Sequence, residues 1–277
     1  AAVAAGWRGA WPRLPGWDRT RSAAVGRSVD VRGAAAEWAR GRRLDARLLW
    51  VGAAGYPSSW PMGDGWPLVL WVRGAWPTAV HQAEPAALAI VGPRRATPAA
   101  TMFAHDLAAS AARAGAWVVS GLAFGVDAAA HRGALQAARD GAPASTLAVL
   151  AGGVDRPHPA EHRALAREML GGGGGLVTAA PIGASPPPGA FPRRNRWIAG
   201  LSGAVAVIEA GPRSGSLHTA AAALELGRDV LTTPARPWDA HAAGSLALLR
   251  DGAAPLVAPD DGWRALPAGT LARAPAR

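Results

Sequence analysis

Short apolar segments alternate with alanine-rich stretches between residues 88 and 232, and this alternation limits the fold more than any other feature of the chain. Strands are predicted at residues 68–72, 88–91, 117–119, 146–150, 176–178, 204–208 and 230–232. Helices are predicted near residues 98–114, 124–139, 160–170, 193–202 and 214–227. Strands that are apolar throughout and separated by helices are typical of a parallel sheet covered on both faces. We therefore expect a Rossmann-like, doubly wound α/β fold with a mostly parallel sheet.

The 277 residues divide into three segments by composition and periodicity. Residues 1–48 show no clean period of 2.0 or 3.6, and they are expected to form an irregular arm rich in Arg and Trp or the remnant of a small helical domain. Residues 49–256 are expected to form an extended Rossmann-like domain, and residues 257–277 a C-terminal tail.

Composition excludes several classes of protein. The chain has no cysteine, which excludes disulfides, cysteine-ligated metals and a thiol nucleophile. No apolar segment approaches the roughly 20 residues of a membrane helix, so we expect a cytoplasmic protein without membrane contact. The net charge is +10, and every basic residue is arginine. This excess favours an anionic partner such as nucleic acid, although a solvated Arg-rich tail accounts for it equally well.

Three loops that follow predicted strands carry residues suited to phosphate. Ligands of open α/β sheets bind at the carboxyl ends of the strands, where small residues at helix N-termini leave backbone N–H groups free. The loops span residues 91–97, 120–131 and 209–220, and carry Arg94 and Arg95, Ser120 and Gly121, and Ser214, Gly215 and Ser216, respectively. Together they predict a phosphate-bearing ligand, whereas tight turns alone would also use such glycines.

The segment FPRRNRWIAGLS at residues 191–202 has the most distinctive composition. Its candidate site residues are Phe191, Arg193, Arg194, Asn195 and Arg196. Guanidinium groups bind phosphate and aromatic rings stack on bases, which favours single-stranded nucleic acid, although a first helical turn with solvated arginines fits the same letters. The sequence contains neither a Walker A motif nor G-x-G-x-x-G in the first loop, so no nucleotide cofactor is expected.

These motifs, taken in order, resemble the DNA-processing protein A family (DprA, also called Smf) over about three-quarters of the chain. The matching segments are YPSSW at 56–60, LWVRG at 70–74, VGPRRAT at 91–97, SGLAFGVDAAAHRGAL at 120–135, FPRRNRWIAGLS at 191–202 and SGSLHTAAAALELGR at 214–228. The resemblance implies a cytoplasmic homodimer that binds single-stranded DNA without chemistry. Such a protein protects incoming DNA in natural transformation and helps to load the RecA recombinase.

The resemblance also implies roles for individual residues. Arg94 is expected to contact DNA phosphates, Arg194 and Arg196 to line a basic pocket with Asn195, and Phe191 to pack against a base or support the loop. Ser120 and Gly121 would shape the second loop, and Ser214, Gly215 and Ser216 would form the helix N-terminus that faces the pocket. The sequence departs from the family pattern at Pro93, Ala179, His218 and Ala235, and the winged-helix domain of many members is not expected.

Enzymatic alternatives rest on a few titratable residues. Asp127 and His131 are four residues apart with Ser120 upstream, but such a pair is more often a local contact on a helix surface, and we predict no catalysis. His158 and His162, with Glu161 between them, resemble a metal pair on a helix, but the order differs from H-E-x-x-H and Pro159 indicates a helix start, so no metal is predicted. The main rival is a Rossmann-like nucleoside-monophosphate phosphoribohydrolase of the lysine decarboxylase-like group, for which Glu225 is the candidate carboxylate. A truncated copy that acts only as a scaffold is a third hypothesis.

Overall fold

The computed structural model describes residues 30–61 and 65–271. Within these residues the strands are β1 (Ala46–Trp50), β2 (Val69–Gly74), β3 (Ala87–Val91), β4 (Trp117–Ser120), β5 (Thr146–Val149), β6 (Gly175–Thr178), β7 (Ala204–Val207), β8 (Asp229–Thr232) and β9 (Ala254–Pro255). They form one sheet in the order β1-β2-β6-β5-β4-β3-β7-β8-β9. The strands from β6 to β9 in this order are parallel, whereas β2 runs antiparallel to both β1 and β6. The predicted Rossmann-like fold is confirmed.

The helices of the same region follow the expected alternation. They are α1 (Val31–Arg43), α2 (Thr78–His81), α3 (Pro98–Arg113), α4 (Val126–Arg139), α5 (Arg163–Gly171), α6 (Ala190–Gly200), α7 (Ser216–Glu225), α8 (Ala243–Arg250) and α9 (Pro259–Arg264). Each strand and helix predicted between residues 68 and 232 is present within a few residues of its expected bounds. Among the residues described, no helix is long and apolar enough to cross a bilayer.

Strand β3 shows how the sheet buries both of its faces. Leu88 and Ile90 pack into a core with α3 and α4, whereas Ala89 and Val91 pack into a second core with α6 and α7. Successive side chains of a strand point to opposite faces, so a strand with helices on both sides must be apolar at every position. All five residues of β3 are buried.

The segment before residue 49 is more ordered than its composition indicates. Residues 31–43 form α1, whose N-cap Asp30 accepts a hydrogen bond from the Gly33 N–H. Strand β1 pairs with β2 and extends the sheet across the predicted boundary at residues 48 and 49. The stripe with which α1 packs is formed by small and polar residues, which explains why the apolar pattern missed this helix. Residues 1–29 of the predicted arm lie outside the described residues.

Part of the predicted C-terminal tail packs on the domain as α9. The Ser110 hydroxyl donates a 2.7 Å hydrogen bond to Asp260, and the Trp263 indole N–H donates a 3.1 Å bond to Ser110. Gly262 lies against the side chains of Leu107 and Leu88. Helix α9 therefore covers part of the core formed by α3, and residues 259–264 do not form a free tail.

Candidate functional site

A small cleft opens at the carboxyl edge of the parallel strands. Its walls come from the loops after β3, β4 and β5 and from the first turns of α6, because parallel strands bring their carboxyl ends to one edge. The lining residues are Arg94, Gly121, Ala123, Phe124, His158, Pro159, Phe191 and Arg194. Four of the predicted site residues, Arg94, Gly121, Phe191 and Arg194, thus lie together in one cleft.

Arg194 forms the floor of the cleft and is only 5% exposed. Its guanidinium lies directly against Gly121, and a Cβ at that position would overlap the Nη1 and Cζ atoms of Arg194. One N–H of the guanidinium donates to the carbonyl of Val149 at 3.4 Å. Gly121 therefore shapes the second loop by making room for an arginine side chain.

Asp127 is buried beside Arg194 and organises the second loop. Its carboxylate accepts hydrogen bonds from the N–H groups of Gly121 at 3.1 Å and Ala123 at 3.2 Å. Burial raises the pKa of Asp127, while the positive charge of Arg194 and these backbone hydrogen bonds act in the opposite direction. Burial lowers the pKa of Arg194, and the nearby Asp127 charge opposes that shift; the guanidinium remains charged at neutral pH.

Phe191 lies close to two guanidinium groups. The Cζ atom of Arg94 is 5.3 Å from the centre of the Phe191 ring, and that of Arg194 is 6.0 Å away. The His158 ring lies 5.8 Å from the same ring at an interplanar angle of 52°. Such cation–π contacts hold an aromatic face and two positive charges within a few ångströms. The cleft can therefore offer both stacking and phosphate contacts.

Glycine also sets the distance between the first two loops. Gly125 has a φ of +72°, and a Cβ there would overlap the carbonyl oxygen of Pro93 and crowd that of Arg94. The Val126 N–H, which begins α4, lies 3.4 Å from the same Pro93 carbonyl. Pro93 lacks an N–H, but its carbonyl helps to hold the Arg94 loop against the start of α4.

Arg196 lies on another face of α6 from Arg194. Residues two apart on a helix are separated by about 200° around its axis, so they cannot both line one cleft. Arg196 lies 3.5 Å from Glu225 and stacks over Trp66 at 5.3 Å. Arg194 therefore lines the cleft and Arg196 does not, because the helix divides the basic cluster between two surfaces.

The other predicted site residues lie around the cleft or support it. Arg95 and Arg193 are exposed, and neither is among the described residues that line the cleft. The Ser120 hydroxyl is buried and donates a 2.6 Å hydrogen bond to the Ile90 carbonyl. In the third loop, the hydroxyls of Ser214 and Ser216 lie 2.7 Å apart, and the Asn195 amide donates to the Gly215 carbonyl at 3.0 Å.

Asp127 and His131 do not form the expected pair on the helix surface, since both are buried. The His131 Nδ1 lies 2.7 Å from the Thr146 hydroxyl, which itself donates to the carbonyl of Val118 at 2.9 Å. His131 must therefore donate from Nδ1. Burial first, and then the positive charges of His162, Arg194 and Arg132, lower the pKa of His131 to about 3. Asp127 is used instead to hold the second loop.

The motifs did not single out several of the residues that complete the cleft. Phe124 is 41% exposed, and its ring centre is 4.7 Å from that of His162. His158 reaches the cleft from the loop after β5. An aromatic residue within the glycine-rich second loop was the one signal for Phe124, whereas no local pattern marks His158. Among the described residues, no group of three or more His, Asp or Glu side chains could hold a metal ion.

The fold and this cleft define an α/β protein with an arginine-lined cleft at the carboxyl edge of its sheet. A family model described as DNA recombination-mediator protein A matches residues 47–267. The chain therefore belongs to the DNA recombination-mediator protein A family, and the resemblance seen in the motifs is confirmed.

Individual relatives agree with this assignment. The chain is 44% identical over 195 residues to a Mycobacterium tuberculosis protein that carries the DprA name, covering 70% of this chain and 48% of that protein. It is 36% identical over 206 residues to protein Smf of Escherichia coli, covering 74% and 53%. The chain thus spans about half the length of these curated relatives.

Solved structures show the same fold. The structure of DNA processing protein A from Streptococcus pneumoniae superposes with a TM-score of 0.69 at 29% identity, covering 80% of this chain and 74% of that one. The Helicobacter pylori protein of the same name, whose structure concerns its single-stranded DNA binding mode, gives a TM-score of 0.66 at 24% identity, covering 80% and 95%.

Proposed function

We propose that this chain binds single-stranded DNA along the carboxyl edge of its sheet and does so without chemistry. The observation that carries the proposal is that the guanidinium groups of Arg94 and Arg194 lie 5.3 Å and 6.0 Å from the centre of the Phe191 ring. A single strand presents unstacked bases beside its phosphates, so an aromatic ring flanked by arginines matches both parts of one nucleotide. A duplex keeps its bases stacked inside and matches only the charges.

The two arginines have different tasks in this proposal. Arg94 is exposed on the first loop, where it can reach a phosphate. Arg194 is buried, donates to the Val149 carbonyl and lies 6.0 Å from the centre of the Phe191 ring, so its task is to support the aromatic residue. Stacking and phosphate contacts do not read base edges, so sequence preference is expected to be slight.

The absence of catalysis is part of the proposal. It is supported by the hydrogen bonds that the polar groups near the cleft already make within the protein. The Ser120 hydroxyl donates to a backbone carbonyl, and the Asp127 carboxylate accepts two backbone N–H groups. The His131 Nδ1 bonds to Thr146. A nucleophile needs a neighbouring base that can take its proton, and these three groups make their hydrogen bonds elsewhere.

Family membership supports a wider role. We propose that the bound strand is protected during natural transformation and recombination, that the chain helps to load the RecA recombinase onto it, and that it acts as a cytoplasmic homodimer. The Helicobacter pylori structure, which concerns single-stranded DNA binding, agrees with the first step of this role.

A fluorescence-anisotropy titration tests DNA binding. Labelled oligo-dT and a matched duplex are titrated with wild type, Arg94→Gln and Arg113→Gln across a range of salt concentrations. We expect the wild type to prefer the single strand. Arg94→Gln should make the negative slope of log K against log salt less steep by about 0.7. Arg113, which is exposed at the end of α3, is the matched control and should leave the slope unchanged. Equal slopes for wild type and Arg94→Gln would contradict the assignment of Arg94.

The phosphoribohydrolase hypothesis is tested in parallel. Glu225, its candidate carboxylate, has a side chain that is 61% exposed and lies 3.5 Å from Arg196, outside the cleft. This position favours DNA binding over nucleotide hydrolysis. Incubation with adenosine monophosphate followed by chromatography should release no adenine, and adenine formation that Glu225→Gln abolishes would support the rival activity instead.

A further inference from the structure

Helix α1 carries a concentrated positive charge outside the cleft. Arg32, Arg40, Arg42 and Arg43 are all exposed, and the exposed ring of Trp38 lies under the guanidinium of Arg42 at 5.4 Å. The helix precedes residues 47–267, which the family model matches, so family membership assigns it no role.

The face of α1 that packs on the domain directs these arginines outward. Gly41 is buried against the side chains of Trp71 and Ile182. Arg32 and Arg43 lie about 180–200° around the helix axis from Gly41, and Arg40 and Arg42 lie about 100° to either side. The outer face therefore presents positive charge along the length of the helix, about 17 Å between Arg32 and Arg43.

Helix α1 is attached through Glu37 near the edge of the sheet that holds the cleft, and its last residue, Arg43, leads into β1 at the opposite edge, because β1 runs parallel to β6. The Glu37 carboxylate accepts a 2.8 Å hydrogen bond from the Trp71 indole N–H and a 3.1 Å bond from the Ile182 backbone N–H. Trp71 is opposite Thr178, the last residue of β6, so it marks the carboxyl edge of the parallel strands.

Two loops connect α1 to the cleft. Ile182 donates its N–H to Glu37, and the next residue, Gly183, donates its N–H to Asp155 at 2.8 Å. Asp155 belongs to the loop after β5, which also carries the exposed Arg156 and, two residues further on, the cleft residue His158. Positive charge therefore occurs at the cleft, at Arg156 and along α1, which runs from its attachment at Ile182 toward the amino end of β1.

We propose that α1 is a second contact surface for single-stranded DNA, reached by a strand that leaves the cleft and passes Arg156. The inference rests on the proposed DNA-binding function and extends it. A polyanion gains one phosphate contact from each arginine that it reaches, and the exposed Trp38 ring offers a face for a base. An acidic protein surface would match the charges but would not use a stacking ring.

A series of oligo-dT lengths separates the two surfaces. The triple variant Arg40→Gln, Arg42→Gln and Arg43→Gln is compared with Arg113→Gln, Arg139→Gln and Arg250→Gln, which removes the same charge. Each control arginine ends a helix that precedes β4, β5 or β9, so the control set lies at the amino edge of the sheet beside strands other than β1. Gln is used because its helix propensity is close to that of Arg. Circular dichroism and thermal melting establish that each variant is folded.

For long oligo-dT we expect the α1 variant to make the negative slope of log K against log salt less steep by about 2, or about 0.7 for each lost contact. For the shortest oligo-dT that binds, both variants should match the wild type. Trp38→Leu, which keeps every charge, should weaken binding of the long strand by about 5-fold or more with its salt slope unchanged.

Three results would overturn the proposal. The α1 variant and its control could give the same salt slope on long strands. Alternatively, the α1 variant could lose as much affinity for the shortest strand as for long strands. In either case the wild type still binds DNA, so the proposed function stands and only the role of α1 fails. Absence of single-strand binding by the folded wild type would overturn both.

Discussion

The guanidinium of Arg194 rests on the Cα of Gly121, in the space that any other residue at position 121 would fill with its Cβ. This contact joins α6 to the loop after β4. It places a buried positive charge near Phe191 and beside Asp127. The shape of the cleft therefore depends on a missing side chain as much as on the residues that line it.

Gly121→Ala should distort the cleft through this contact. The added methyl group must displace Arg194, and overpacking of this kind costs about 1–3 kcal/mol of unfolding free energy. Denaturant unfolding measures the loss of stability, and anisotropy should show weaker binding to oligo-dT. Gly171→Ala is the control, because nothing lies within 4 Å of a Cβ placed there. If Gly121→Ala and Gly171→Ala behaved alike, the contact between Gly121 and Arg194 would have no energetic weight.

Arg194→Ala and Arg196→Ala should differ, although the residues are neighbours in the sequence. The first removes a buried charge that donates to the Val149 carbonyl, and it should cost about 1–3 kcal/mol of unfolding free energy and weaken DNA binding. The second breaks a partly exposed ion pair with Glu225, which is typically worth about 1 kcal/mol or less. Paired unfolding and anisotropy measurements test this difference, and equal effects on both quantities would contradict the division of the basic cluster between two faces of α6.

Phe191→Leu should weaken single-strand binding without changing its dependence on salt. Stacking on an aromatic ring contributes about 1–3 kcal/mol per base, whereas the salt slope counts neutralised phosphates. The measurement is the same titration at several salt concentrations. Phe103→Leu is the control, because Phe103 packs against the core outside the cleft and its replacement should affect stability alone. A changed slope in Phe191→Leu would mean that the ring acts by positioning the arginines.

The buried His131 should make the protein sensitive to acid. Its pKa is about 3 in the folded state against an ordinary value of 6.5, so the unfolded chain takes up the proton first as the pH falls. The stabilisation is therefore complete above about pH 6.5 and is lost between about pH 6.5 and 3, by about 1.4 kcal/mol for each pH unit. His131→Asn keeps a donor for Thr146 and removes the titration. Unfolding free energies measured over this range should fall less steeply for the variant, and parallel curves would contradict the prediction.

The parts of the fold that could be predicted are those whose burial is expressed in apolar residues. Strand β3 is apolar at every position because helices cover both of its sides, and the sequence marks it clearly. Helix α1 gave no such signal. It packs with Gly41 and attaches through Glu37, and neither residue belongs to an apolar pattern. Small or polar contact residues hide a helix from any method that reads hydrophobic periodicity.

The cleft could be predicted only in part for a related reason. Arg94, Gly121 and Phe191 belong to motifs that each follow the end of a strand or begin a helix, so topology alone brings them together. His158 arrives from a loop without a motif, and its position depends on tertiary packing. The sequence places the basic residues around Arg194 in one cluster, whereas the rotation of successive residues along α6 decides which of them face the cleft.

The adjacent backbone N–H groups of Ile182 and Gly183 have a mechanical consequence. One is bonded to Glu37 of α1 and the other to Asp155 of the loop that carries His158. The two Cα atoms are about 3.8 Å apart across a planar peptide unit that resists twisting. The two carboxylates are thus bonded to neighbouring residues of one rigid backbone segment. A displacement of α1 is therefore passed to the His158 loop across the length of a single residue.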